Sequence, residues 1–274
     1  MPSDRAGDAV QPDSPSFYDR HWEHADTSAD PHVVAKGDLL MTMVPADVRT
    51  IVDVGCGDGY LTHRLAQRWS VTGVERSAVA LAKLRCPTVQ ASADALPLPD
   101  RSADLLLSSE VLEHLPEGVY ERALAEMERV AARWLIVSVP YREQLARRQA
   151  RCPSCRLEFH IDGHLRSFDG EGIDVALPAF ERVRTELCGP LERPTYAALE
   201  RARHRVAKRW YVWDGAKIVC PGCGASGFRP EQRSLRHWVA DEALDLATAL
   251  ANRGKRRKPE PYWVIALMRR RERP

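Results

Sequence analysis

From Thr50 to Val139 the chain alternates short apolar runs with stretches of helical periodicity. Ile51–Val54, Val71–Glu75, Thr88–Ala91, Asp104–Ser108 and Trp134–Val139 have strand length and read as buried parallel strands. Helices are expected between them near Tyr60–Arg68, Ala78–Leu84 and Val119–Ala131. This rhythm builds a sheet with helices on both faces. After Pro140 the pattern breaks. A helix is expected near Asp169–Leu177, a strand at Arg182–Leu187, helices near Ala197–Trp210 and Glu231–Asn252, and a last strand at Tyr262–Met268. The expected fold is α/β, a doubly wound, mostly parallel seven-stranded sheet. Residues 1–16 read as a disordered tail and Phe17–Val44 as helical. The expected division is a core at 17–140, a first insertion at 141–167, core again at 168–189, a basic helical insertion at 190–260, and the last strand with a basic tail at 261–274.

A length of 274 residues, 44% hydrophobic and 28% charged, suits a soluble globular protein. No apolar run is long enough to span a bilayer and no secretory signal is visible, so a cytoplasmic location without membrane attachment is expected. The net charge of +2 hides an asymmetry: Arg193 to Lys258 holds 15 Lys/Arg against 6 Asp/Glu. Such a surplus attracts anionic partners, nucleic acid included, although a solvated helical face with a loose tail is the more usual origin of a charge run.

The segment Val52-Asp53-Val54-Gly55-Cys56-Gly57-Asp58-Gly59 ends a strand and opens a helix. Glycines there permit a tight turn and let backbone N–H groups approach a ligand at the carboxyl end of the sheet. Glu75 ends the next strand, 20 residues after Gly55, the spacing at which an acid reaches ribose hydroxyls. The third glycine comes too early for the dinucleotide pattern. Asp53–Gly59, Glu75, Ala93-Asp94-Ala95 and Ser109-Glu110-Val111-Leu112-Glu113-His114-Leu115 together resemble the class I S-adenosylmethionine (SAM)-dependent methyltransferases, nearest to the group of ubiquinone and menaquinone biosynthesis enzymes. The resemblance covers about residues 48–140. It implies SAM as cofactor, with Gly55, Gly57 and Gly59 along its methionyl part and Asp53 near its amino group. Glu75 would take the ribose hydroxyls, Asp94 the adenine amino group, and Ala93 the ring through its backbone. Ser109 would sit near the methionyl group; Cys56, Arg76 and Ala95 join the same set.

Cys152-Pro153-Ser154-Cys155 and Cys220-Pro221-Gly222-Cys223 are two-residue knuckles. Four thiolates suit a closed, structural zinc site, with a redox pair or completion of one knuckle by His160 or His164 as alternatives. In the resembled fold both knuckles lie in loops on the ligand face, where zinc would staple them into a lid.

Methyl transfer to a hydroxyl or protonated amine needs a base. Phe159–Phe168 holds His160, Asp162, His164 and Arg166; His164 is the expected base, with His160 second. His114, Tyr141 and Arg166 are substrate-side candidates, and Trp210, Tyr211 and Trp213 could cover an apolar or sugar face. The expected activity is methylation of an O or N atom on a small-molecule acceptor. An RNA methyltransferase docking through the basic insertion and a non-catalytic zinc-stabilised binding module are the alternatives. The oligomeric state cannot be read from the sequence.

Overall fold

The computed structural model describes residues 15–24, 26–211, 218–229, 231–255 and 257–272. Residues 1–14 of the tail expected to be disordered, and Trp213, lie outside the described residues; Pro15 and Ser16 open the first helix. Two compact units emerge. One comprises Tyr18–Glu143, Leu165–Glu192 and the chain from Glu260; the other contains Gln144–His164 and Arg193–Pro259.

The strands in chain order are β1 (Thr50–Val54), β2 (Ser70–Glu75), β3 (Thr88–Gln90), β4 (Ala103–Ser109), β5 (Ala131–Pro140), β6 (Gln149–Arg151), β7 (Glu158–His160), β8 (Phe180–Glu192) and β9 (Glu260–Arg270). The helices are α1 (Pro15–His24), α2 (Pro31–Met43), α3 (Tyr60–Leu65), α4 (Ala78–Leu81), α5 (Glu117–Val130), α6 (Gly170–Ala176), α7 (Ala197–Val206) and α8 (Leu235–Gly254).

The first unit is a seven-stranded sheet in the order β3-β2-β1-β4-β5-β9-β8. Neighbouring strands from β3 to β5 are parallel, and β9 runs antiparallel to both β5 and β8. Strand periodicity divides the apolar residues between two faces. Ile51, Leu105, Leu107 and Ile136 join one buried cluster, while Val52, Val54, Leu106, Leu135 and Val137 join the other. The strand order reverses between β1 and β4, so the carboxyl ends of these strands mark the ligand crevice of a doubly wound sheet. The single helical stretch expected over Phe17–Val44 is broken. A 3-10 turn at Thr27–Ala29 intervenes, and Asp30 caps α2 by accepting the His32 N–H at 2.8 Å with Pro31 in the first turn.

In the second unit β6 and β7 form an antiparallel hairpin around the first cysteine knuckle. Its apolar cluster consists of Ala150, Cys152, Ile218, Cys220 and Phe228. Polar contacts join α7 to α8: Asp241, 4% exposed, faces Arg203 at 3.2 Å, Arg209 at 3.2 Å and Arg233 at 2.7 Å. Several cations of the basic segment are therefore neutralised internally. Among the described residues, no helix is long and apolar enough to cross a membrane.

Candidate functional site

The loop after β1 turns sharply because Gly55, Gly57 and Gly59 adopt φ of 73°, 54° and 80°, the left-handed region that side chains avoid. Its first turn is fixed by the Gly55 and Cys56 N–H groups, which donate to the Val74 carbonyl at 2.7 and 3.1 Å. A Cβ on Gly57 would meet the Trp22 ring at 2.4 Å, so Trp22 closes over the loop.

Glu75 organises this turn. Its carboxylate accepts the Gly57 N–H at 3.1 Å, the Arg76 N–H at 2.7 Å and the Ser77 N–H at 2.9 Å. Asp53 is buried beside it and accepts the Thr62 hydroxyl at 2.7 Å. Burial raises the Asp53 carboxyl to about 6, with the Glu75 charge adding to the rise and the Thr62 bond opposing it. Burial, then the charges of Asp53 and Glu75, also pushes the Cys56 thiol up. Neither Asp53 nor Glu75 forms an ion pair among the described residues. Two buried carboxylates on a glycine turn, without a cation of their own, suit a ligand that brings positive charge and hydroxyl donors.

The structure thus brings together Asp53, Gly55, Cys56, Gly57, Gly59, Glu75 and Arg76. Asp94 is turned to α5, where it accepts Arg122 at 2.6 Å. Burial alone would raise Asp94, but hydrogen bonds from Ser92 and Arg122 and the Arg122 charge hold it below its ordinary value. Ala93 packs against the core, and the Ala95 N–H donates to the Ser92 carbonyl at 3.1 Å.

Ser109 ends β4 in register with Ser138. Beyond it Glu110, at φ 58°, binds Lys36 at 3.1 Å, the Trp263 indole N–H at 2.7 Å and the Ser138 hydroxyl at 3.2 Å. Glu113 is fully buried, and neither carboxylate oxygen accepts a hydrogen bond. Burial, reinforced by the nearby Glu110 charge, raises it well above the ordinary value. Sequence reasoning passed over both glutamates. The available signal was an acid flanked by Leu112 and, one residue on, Leu115, directly after a buried strand.

His114 is half-buried, with Nε2 4.0 Å from Glu113. The Tyr141 N–H donates to the Tyr262 carbonyl at 2.7 Å, and Arg142 stacks over the Tyr141 ring. Arg166 donates to the Leu112 carbonyl at 2.7 Å and to that of Leu115, and lies 4.0 Å over Tyr120. These bonds tie Arg166 to the turn that carries His114.

In the second unit His160 and His164 stack at 4.7 Å, nearly parallel. His160 Nδ1 accepts the N–H groups of Asp162 and His164, each at 3.3 Å. These bonds require a lone pair on Nδ1, which in the neutral ring puts the proton on Nε2. Both rings are buried.

The two knuckles share one geometry. Cys152 N–H donates to Leu157 and receives Arg156 N–H at its carbonyl; Cys220 does the same with Ala225 and Gly224. Arg156 and Gly224 occupy the matching left-handed position, at φ 65° and 70°. Cys152 Sγ lies 3.6 Å from Cys223 Sγ, Cys155 Sγ lies 3.6 Å from Cys220 Sγ, and all four sulfurs fall within 4.8 Å of one another. That is far beyond a disulfide bond and close to the ~3.8 Å edge of a tetrahedron with Zn–S near 2.3 Å. Burial would raise the Cys152 thiol, but backbone N–H groups of Cys155 and Ser154 and neighbouring sulfurs outweigh it and bring it to about 6.

Residues 52–133 match the family model described as methyltransferase domain. This stretch therefore carries the sequence of a methyltransferase domain. A probable S-adenosylmethionine-dependent methyltransferase of Mycobacterium tuberculosis is 35% identical over 101 residues, covering 34% of this chain and 36% of that protein. Trans-aconitate 2-methyltransferase of Streptomyces avermitilis is 36% identical over 123 residues, covering 39% and 43%. The match spans less than half the length of these curated relatives. A SAM-dependent methyltransferase from Archaeoglobus fulgidus superposes with a TM-score of 0.55 at 13% identity, covering 93% of this chain and 99% of that one. The sheet unit has the Rossmann-like methyltransferase fold.

Proposed function

We propose that this chain transfers a methyl group from SAM to an oxygen or nitrogen of a small-molecule acceptor. The observation that carries the reading is the pair Asp53 and Glu75, buried on one glycine turn with no cation bonded to either. SAM bound there would supply an electrophilic methyl on a sulfonium. Asp53 would hold its ammonium group, and Glu75, with acceptor capacity left beyond its three N–H bonds, its ribose hydroxyls. Asp94 would take the adenine amino group by exchanging its Arg122 bond. The resemblance to quinone-biosynthesis enzymes belongs to the same reading and rests on Asp53–Gly59, Glu75, Ala93–Ala95 and Ser109–Leu115 together.

His164 is the proposed base that removes the acceptor proton. His160, fixed by its own turn and stacked on His164, positions it. Alignment and exclusion of water supply the rest of the acceleration. Cys152, Cys155, Cys220 and Cys223 would hold one zinc ion in a closed structural site, completing a unit whose apolar cluster is small.

The test is transfer of labelled methyl from SAM into size-fractionated cell extract, with and without ribonuclease. Label in the small-molecule fraction is expected. Ribonuclease-sensitive label in the large fraction would replace this reading with RNA methylation, and no transfer together with no SAM binding would leave a zinc-stabilised binding module.

A further inference from the structure

Helix α8 is built inside out. Asp241, Asp245 and Asn252 fall on one side of it and turn towards α7 and the chain before it, where they bind Arg203 and the Pro194 carbonyl. The other side carries Leu235, Trp238, Val239, Leu246 and Leu250, which are 53% to 79% exposed. At about 100° per residue these five share an arc of roughly 120°. An amphipathic helix of a globular protein ordinarily turns such an arc to the core. Here it faces outward along a helix of 20 residues, about 30 Å, and an exposed apolar surface of that extent marks a contact with another body.

The charges around the arc decide which body. Arg236 flanks it and Arg253 lies on it in the last turn, and neither forms an ion pair among the described residues. The chain continues through Lys255, Arg257 and Lys258, all exposed, with no acid before Glu260. Glu242 is the one acid inside the arc. Leucines beside a tryptophan, with cations at the rim, match the boundary layer of an anionic bilayer. The leucines enter the acyl region, the indole sits at headgroup level, and the long basic side chains carry their charges out to lipid phosphates. A second copy fits less well. Leu235 and Leu250, like Val239 and Leu246, are symmetric about the midpoint of Glu242 and Ala243, so antiparallel pairing would match them. The same symmetry would set Glu242 against its own copy and leave the cations unanswered.

We infer that α8 lies on an anionic lipid surface with its apolar arc inserted and Arg236, Arg253, Lys255, Arg257 and Lys258 on the headgroups. The attachment is to one leaflet, since no described helix is long and apolar enough to cross a membrane. It uses none of the methyl-transfer residues and stands independently of that activity.

Co-sedimentation of the full chain with vesicles tests it. Vesicles of equal parts phosphatidylglycerol and phosphatidylcholine should carry the protein down at about 0.1 M salt, and vesicles of phosphatidylcholine alone should bind it about tenfold less. At about 1 M salt, where the Debye length shrinks to about 3 Å, binding to the mixed vesicles should fall to the phosphatidylcholine level. Leu246→Ser combined with Leu250→Ser should weaken partition about tenfold or more, and Arg253→Gln combined with Lys258→Gln about tenfold. All four positions are exposed, so the thermal midpoints should match the parent. Glu242→Gln should strengthen binding. Failure to bind the mixed vesicles at low salt, equal binding to both kinds, or binding indifferent to the leucine pair overturns the proposal. So does a lipid-free dimer, seen by sedimentation equilibrium, that the leucine pair of substitutions dissolves, because α8 would then be an interface between copies.

Discussion

In the sheet unit the side chains shut away from water are mainly aliphatic: Leu105, Leu106, Leu135 and Val137 are essentially fully buried, and each face of the sheet has its own cluster. In the second unit the apolar cluster holds five buried residues, two of them thiols, and Asp241 gathers three arginines where a core would otherwise lie. The first arrangement distributes stability over many additive contacts. The second concentrates it in four sulfurs and a few charges, each strongly dependent on its partners. The same kind of damage should therefore have different reach in the two regions.

The largest expected effect is removal of the zinc ion proposed for the four cysteines. Structural zinc sites of this type contribute on the order of 10 kcal/mol to folding. A chelator, or Cys220→Ser, should expose residues 144–164 and 193–259 to hydrogen exchange and proteolysis while the sheet stays protected. Equal protection with and without chelator would erase the contrast. The converse lesion is Leu106→Ala, which removes side-chain packing from the centre of the sheet. It should cost about 2–5 kcal/mol, read as a lower denaturation midpoint with accelerated exchange throughout β1, β4 and β5.

The same contrast governs what the sequence revealed. Strands β1, β2, β4 and β5 were legible because residues buried on both faces leave apolar runs, whereas β3, expected to be buried, is an edge strand with Thr88 and Gln90 exposed; the glycine turn was legible because its φ values require that residue type. The knuckles were legible from their two-residue spacing. The division of the helical stretch before β1 was written at Asp30-Pro31, a cap followed by a first-turn proline. What stayed hidden depends on partners distant in sequence. Arg122 lies 28 residues from Asp94, and Arg166 reaches a carbonyl 54 residues away. No local pattern encodes those distances. The pairing within the basic segment was hidden in the same way, since counting charge could not show that Arg203, Arg209 and Arg233 share Asp241. Glu113 was visible as a letter but not as a buried carboxyl, because burial is a property of the packed turn.

Within the sheet unit, Asp53 offers a pH-dependent test. Its folded pKa, about 6, exceeds the ordinary 3.8, so the folded state binds the proton more tightly. The associated stabilisation is complete below about 3.8 and is lost as pH rises through about 6. Asp53→Asn keeps an acceptor for Thr62 and removes the charge. It should raise stability at pH 7.5 by up to about 3 kcal/mol and change little at pH 4. In the parent, SAM affinity should fall as pH drops below about 6; a flat profile would remove Asp53 from the ammonium site. Glu75→Gln comes next. A neutral amide would lose the charge-assisted bonds proposed to the ribose, and SAM binding should weaken about tenfold, roughly 1.4 kcal/mol by calorimetry.

The smallest expected effect separates the charges within the second unit. Arg209 is half exposed and meets Asp241 and Asp245 at 3.2 and 3.7 Å, whereas Arg203 is nearly buried between Glu200, Asp241 and Asp245. Arg209→Ala removes a solvent-screened partner and should cost less than about 1 kcal/mol, shrinking further at high salt. Arg203→Ala leaves the buried Glu200 without its cation and should cost about 3–5 kcal/mol. Denaturation midpoints of the two variants, compared at low and high salt, measure the gap directly. Equal losses would mean that the unit is held by net charge balance, whereas a wide gap places its polar stability in the buried junction of α7 with α8.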